Sequence, residues 1–166
     1  MSRPFSLVIL AAPVVSTEVA GAEPDPNAEA ERVARAYVAA YSAADWDRMA
    51  PYMAPDFVLI DRTNPDPAFL PEYRTAKTAL GMLRRFGRDS GVHALDFDFP
   101  TVFASNGVVV FQGHVNTRST PPGRAATFVW RARQVTIITV RNGLVERHED
   151  LADYTHAVVS RAPAAP

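Results

Sequence analysis

Apolar side chains return every fourth residue at Val33, Tyr37 and Tyr41, with Ala34 and Val38 beside them, while Glu29, Glu31, Arg32 and Arg35 crowd the opening turns. That spacing predicts an amphipathic helix over 27–43 with one face toward a core, and its early acids suit the positive end of the helix dipole. Asp45 is placed to cap a second short helix, DWDRMAPYM, which Pro51 must kink or end. FVLID, closing on Asp61, reads as a short strand, and RTNPDPAFLPEY (62–73) as an irregular segment broken by prolines. TAKTALGMLRRF puts Ala76, Leu80, Leu83 and Phe86 at helical spacing and predicts a third helix that stops near Gly87.

From His93 the period changes from helical to alternating. HALDFDFP, TVFASNGVVVFQGHVNTRS, TFVWRARQVTIITV and LVERHEDLADY read as strands. Asn106-Gly107 and Asn142-Gly143 supply tight hairpin turns, and the prolines at 121–122 mark a wider connection. Helix, helix, short strand, helix and then four long antiparallel strands predicts an α+β domain. Three N-terminal helices would pack on one face of a strongly curved, mainly antiparallel sheet, with a cavity enclosed between the layers.

Composition narrows the chemistry. The 166 residues carry 17 basic and 18 acidic side chains, a net charge of −1. No basic excess exists to neutralise phosphates, so nucleic acid is not an expected partner. There is no cysteine, which removes thiol nucleophiles, disulfides and cysteine-ligated metals. Lys77 is the single lysine, in a charged helical stretch, so Schiff-base chemistry has one poorly suited nucleophile. No HExxH, GxSxG, Walker-type or dinucleotide fingerprint occurs, and no metal or cofactor is expected. Any chemistry must then come from Asp, Glu, His, Tyr, Ser and Arg.

The ends divide from the middle. Residues 1–22 combine Arg3, the apolar run FSLVILAAPVV and the small-residue ending Ala20-Gly21-Ala22, the grammar of a signal peptide. The run is too short to span a bilayer comfortably. Residues 23–158 are then the folded domain and 159–166 a flexible tail. The expected location is secreted or periplasmic, or cytoplasmic if the leader is retained.

Two segments, AYVAAYSAADWDRMAPYMAPDFVLID (36–61) and NGLVERHEDLADY (142–154), resemble the NTF2-like superfamily in its SnoaL-like and ketosteroid-isomerase-like branch. The resemblance covers about 28–157 and implies the cone fold, a homodimer paired through the sheet, and a ligand in the cone. The stretch from Tyr37 to Asp61 matches the opening of steroid isomerases without a gap. It implies Asp61 as general base and Tyr37 as oxyanion donor. An acid leaving an apolar strand into a cavity is stripped of water and becomes a better base. The same residues also read as a turn-capping acid and a core tyrosine.

The closing strand offers Glu146, His148 and Asp150 on one face and Val145, Arg147 and Glu149 on the other, and alternation does not say which face is inner. The resemblance implies that His148 and Asp150 face the cavity as further acid/base groups. Steroid isomerases carry a second acid where this chain reads RARQVTIITV, leaving Gln134 or Thr136 as neutral donors. Epoxide hydrolases of the limonene type carry an Arg-x-Asp pair where His114 and Asn116 stand. Tyr41, Trp46, Tyr52, Met53, Phe86, His114, Asn116 and Trp130 are the candidate ligand contacts. Three functions stay open: a cofactor-free isomerase, dehydratase or cyclase; a binding or carrier protein without chemistry; and an epoxide hydrolase.

Overall fold

Helix α1, Pro26–Ser42, starts where the proline-rich joint ends. The computed structural model describes residues 25–67 and 69–162, so the expected leader at 1–22 lies outside the described residues. Asp25 caps α1 by accepting from the Asn27 amide at 2.9 Å, and Pro26 occupies a first-turn position where no N–H partner is needed. The stripe read from the sequence is the buried one: Val33, Ala34, Tyr37, Val38 and Tyr41 face the core. Glu29–Arg32 and Glu31–Arg35 pair along the exposed side and add little stability there.

Helix α2, Trp46–Met49, is capped by Asp45 and passes at Pro51 into a 3-10 turn, Ala50–Tyr52. Strand β1 follows as Met53–Asp61, four residues longer than FVLID. The extension tolerates Pro55 because pairing with the neighbouring strand shifts register between Met53 and Val58. Inside 62–73, where no regular element was expected, β2 (Glu72–Arg74) turns back onto β1.

Helix α3, Ala76–Ser90, passes through Gly87 and stops at Gly91. Gly91 has φ of 63°, and a Cβ there would stand 2.0 Å from the Thr120 carbonyl oxygen. The chain therefore ends the helix at the glycine whose conformation and surroundings require one.

Strands β3 (Val92–Ala94), β4 (Phe97–Ser105), β5 (Val108–Ser119), β6 (Phe128–Arg141), β7 (Leu144–Ala152) and β8 (Val158–Arg161) complete an eight-stranded sheet. Asn106-Gly107 and Asn142-Gly143 both have positive φ at the two central turn positions, as tight hairpins require. The sheet order is β2-β1-β7-β6-β5-β3, with β4 on β5 and β8 on β6. All pairings are antiparallel except β1 with β7.

β5 and β6 outrun their neighbours, and two short strands complete them. β3 covers the end of β5, and β8 covers Phe128–Arg131 of β6. This revises the tail expected from 159. The β-branched Val158 and Val159 extend along an edge that β7 leaves unpaired, and backbone hydrogen bonds hold them although their side chains are exposed. The described residues thus form an α+β domain of three helices and a strongly curled sheet. Its inner face carries the core, with Val109, Phe111, Ile138, Val140 and Val145 against α1.

Candidate functional site

Where that apolar packing stops, toward α3, a cavity of about 280 Å³ opens. α1 contributes Tyr41; β1 contributes Leu59 and Asp61; α3 contributes Met82, Leu83 and Phe86. The far wall is Phe97, Val115, Thr117, Trp130 and Gln134, and Asp150 and Tyr154 lie at the end of β7. Asn64, Asp66, Phe69, Leu70 and Tyr73 roof it from the proline-rich segment.

Two carboxylates stand side by side in this cavity. β1 and β7 run parallel, with Leu59 opposite His148 and Asp61 opposite Asp150. Asp61 ends its strand, so the following turn supplies its partners. Its Oδ1 accepts from Thr63 Oγ1 and the Asn64 amide, each at 3.1 Å, and its Oδ2 accepts from the Tyr154 hydroxyl at 2.5 Å. It is thus a turn-capping acid and a cavity acid at once.

Asp150 lies within its strand and is 7% exposed. Its Oδ1 accepts from Gln134 Nε2 at 2.7 Å and Thr136 Oγ1 at 2.5 Å. Among the described residues its Oδ2 accepts no hydrogen bond. Behind it sits His148, 0% exposed. His148 Nε2 approaches Asp150 Oδ1 to 3.0 Å, off the line of a directed hydrogen bond, so Nε2 has no aligned partner. His148 Nδ1 is 2.9 Å from the Tyr37 hydroxyl.

Electrostatics orders these protons. Burial, and then the charge of Asp150, pushes the Tyr37 hydroxyl well above the usual tyrosine range, so Tyr37 keeps its proton and donates to Nδ1. A hydroxyl that donates to Nδ1 leaves Nε2 as the ring's N–H, on the side of the carboxylate oxygen. Tyr41 and Tyr154 are raised in the same direction. Burial comes first for both; the Asp150 charge follows for Tyr41, and the Asp61 hydrogen bond for Tyr154.

Tyr37 is fully buried behind His148 and does not line the cavity. The tyrosine that does is Tyr41, one turn further along α1. It is stacked on Phe97 at 5.4 Å and edge-on to His148 at 4.8 Å. Tyr41 is 8% exposed, and its hydroxyl makes no hydrogen bond among the described residues.

Of the other candidate contacts, Phe86 and Trp130 line the cavity. Trp46 packs edge-on against Tyr41 at 5.8 Å, outside the lining. Tyr52 ends the 3-10 turn, and Met53 starts β1 inside the core. His114 and Asn116 fall on the outer face, because β5 turns Val115 and Thr117 inward. His114 lies in a shallow outer depression with Arg133, while Asn116 accepts from Arg131 and donates to the Asp96 carbonyl.

Tyr154 is a cavity residue that the sequence reading misses; its signal is the aromatic after the closing acid in DLADY. Gln134 and Thr136 read from the sequence as neutral donors in place of an acid. They hold Asp150 instead.

β7 does not keep one face throughout. Val145 is buried, then His148, Asp150 and Ala152, with Glu146 as an extra residue where the β6–β7 register shifts. The bulge re-aims the strand. It seats Val145 in the core and, beyond it, His148 and Asp150 at the cavity end.

The family model of the SnoaL-like domain matches residues 34–148. Among solved structures, a candidate SnoaL-like polyketide cyclase from Shewanella denitrificans OS-217 is 22% identical with a TM-score of 0.65, over 76% of this chain and 91% of its own. Another from Shewanella putrefaciens CN-32 is 20% identical with a TM-score of 0.66, over 91% of this chain and 94% of its own. An epoxide hydrolase of the LEH-like type from M. tuberculosis is 17% identical with a TM-score of 0.62, over 80% and 84%. A search of curated proteins finds no match. At these identities the solved structures speak to fold alone.

Proposed function

The chain belongs to the SnoaL-like domain family of the NTF2-like superfamily, and from that premise we propose that it is a cofactor-free acid/base enzyme acting on a hydrophobic small molecule in the cone. The observation that carries the reading is the register of Asp61 with Asp150, two carboxylates lining one small apolar cavity. Asp150 is the base. Its Oδ1 is fixed by Gln134 and Thr136, so its Oδ2 is held in a constant position to take a proton from carbon. His148 and Tyr37 position it from behind. Tyr41, with a protonated and unengaged hydroxyl, donates to the oxygen on which charge develops. Isomerisation, dehydration and aldol-type cyclisation share this step.

The test is solvent exchange. Small carbonyl compounds are incubated with the protein in deuterium oxide, and enzyme-dependent deuterium at carbon is read by mass spectrometry. Exchange lost in Asp150→Asn and Tyr41→Phe, with folding intact, is the expected result. Ligand binding without exchange in any compound class would leave a carrier. Hydrolysis of an epoxide with incorporation of labelled water would point to the third function, although the outward His114 and Asn116 do not supply its acid–base pair. The same reading has the leader direct export and two copies pair through the sheet. A monomer by light scattering at micromolar concentration removes the pairing.

A further inference from the structure

One base is enough for the proton transfer proposed above, and three carboxylates line the cavity, Asp61 and Asp150 from the strands and Asp66 from the proline-rich segment. Asp61 and Asp150 share a register row, and among the described residues neither forms an ion pair with an arginine or lysine. The groups that serve Asp61 are a hydroxyl, a backbone amide and a phenol, all neutral. A proton on His148 would offset Asp150 alone. None of the described residues lining the cavity is Lys, Arg or His, although the chain has 17 basic residues. The arginines pair elsewhere: Arg147 with Glu149, Arg118 with Asp96, Arg62 with Glu72.

The rest of the wall is aromatic. Trp130 and Tyr154 meet at 5.3 Å, and Tyr41 stacks on Phe97. Rings attract a cation over their faces, and most strongly out of water. Tyr41, a side chain 8% exposed, adds a hydroxyl that makes no hydrogen bond among the described residues. The field inside is felt by the protein's own groups, since both Tyr41 and Tyr154 are pushed up by the charges of Asp61 and Asp150 together. Among the described residues no three His, Asp or Glu side chains converge as a metal's ligands would. A positive charge suited to this wall is an organic one, able to use the rings as well as the carboxylates.

We propose that the substrate or ligand of this cavity is a small lipophilic ammonium compound, its charge set against Asp61 and its apolar body against Trp130 and Tyr154. The proposal rests on the reading of the cavity as the ligand site. The size fits a compact molecule, because 280 Å³ lies at the lower edge of ligand pockets, roughly 300–1,000 Å³.

The test uses a matched pair on the full chain: benzyltrimethylammonium and neopentylbenzene, which have the same shape and differ in charge. Competitive displacement of a fluorescent apolar dye, with the Trp130 indole followed by NMR, reads affinity and place. The cation is expected to bind at least about tenfold tighter than the hydrocarbon. Asp61→Asn should erase that preference and leave hydrocarbon binding unchanged. Should Asp61→Asn not fold, the pair on the unaltered chain still decides.

Equal affinities, both shifting the Trp130 indole, would overturn the ammonium proposal while the cavity reading stands. Binding of neither probe would remove both. Deuterium exchange into neutral carbonyl compounds at rates matching their amino analogues would also overturn the proposal and leave the enzyme reading whole.

Discussion

Asp61 and Asp150 are neighbours across one pair of parallel strands, yet they are held in opposite ways. Asp61 takes its partners from the turn it begins, Thr63 and Asn64, and from Tyr154. Asp150 takes its partners from β6, with His148 and Tyr37 behind it in a second layer. The first arrangement, Tyr154 apart, forms wherever that turn forms. The second exists only when α1, β6 and β7 have all docked. A strand-end acid is thus locally organised and adjustable, while the mid-strand acid is as rigid as the core around it, and rigidity is what a base acting on carbon needs.

The comparison breaks most visibly in turnover. Asp150→Asn should lower exchange of a responsive substrate by about 10²–10⁴-fold. Asp61→Asn should act chiefly on substrate affinity, which steady-state kinetics separates. Equal losses of turnover from both would end the distinction.

Stability comes next. Asp150→Leu leaves the buried Thr136 hydroxyl without its acceptor and the Gln134 amide with Thr136 alone, at about 1–3 kcal/mol for an orphaned group. Urea denaturation should place its total loss well above that of Asp61→Leu, whose turn partners can reach water.

Titration sharpens the contrast. Tyr37, Tyr41 and Tyr154 are all raised in the folded chain. A raised tyrosine stabilises the fold fully below the unfolded value of about 10 and loses that contribution as pH climbs beyond it. Tyrosinate absorbance from these three should therefore appear only with alkaline unfolding. Asp150 acts on Tyr37, and Asp61 is not among the causes of its shift. Asp150→Asn should thus ease the ionisation of Tyr37, and Asp61→Asn should leave it unchanged.

The smallest effect is expected of Tyr37→Phe, a loss of about 1–2 kcal/mol from a buried Nδ1 left without its donor. Its melting temperature should fall while dye binding in the cavity persists.

Much of this architecture was legible in the chain. The α1 stripe, the Asp45 cap and both Asn-Gly turns are local signals, written within a few residues and obeyed by the structure. The site was legible only in part. Alternation separates two faces of β5 but does not say that Val115 rather than His114 looks inward, since burial depends on strands far away in sequence. On α1, Tyr37 and Tyr41 share one stripe, and only the depth of the fold at each turn seals the first behind His148 and opens the second to the cavity. Gly91 outranked Gly87 as the helix stop because of a carbonyl from Thr120, a contact no local pattern records.

The extra residue in β7 has a consequence for how this chain can change over generations. Removing Glu146 would restore strict alternation, and either Val145 or the His148–Asp150 pair would have to turn outward. While it stays, Val145 belongs to the hydrophobic half of the strand and answers to folding, and the residues beyond it answer to whatever occupies the cone. Substitutions on the far side of the bulge can then accumulate without renegotiating the core. One inserted position divides the strand into a conservative half and an inventive one.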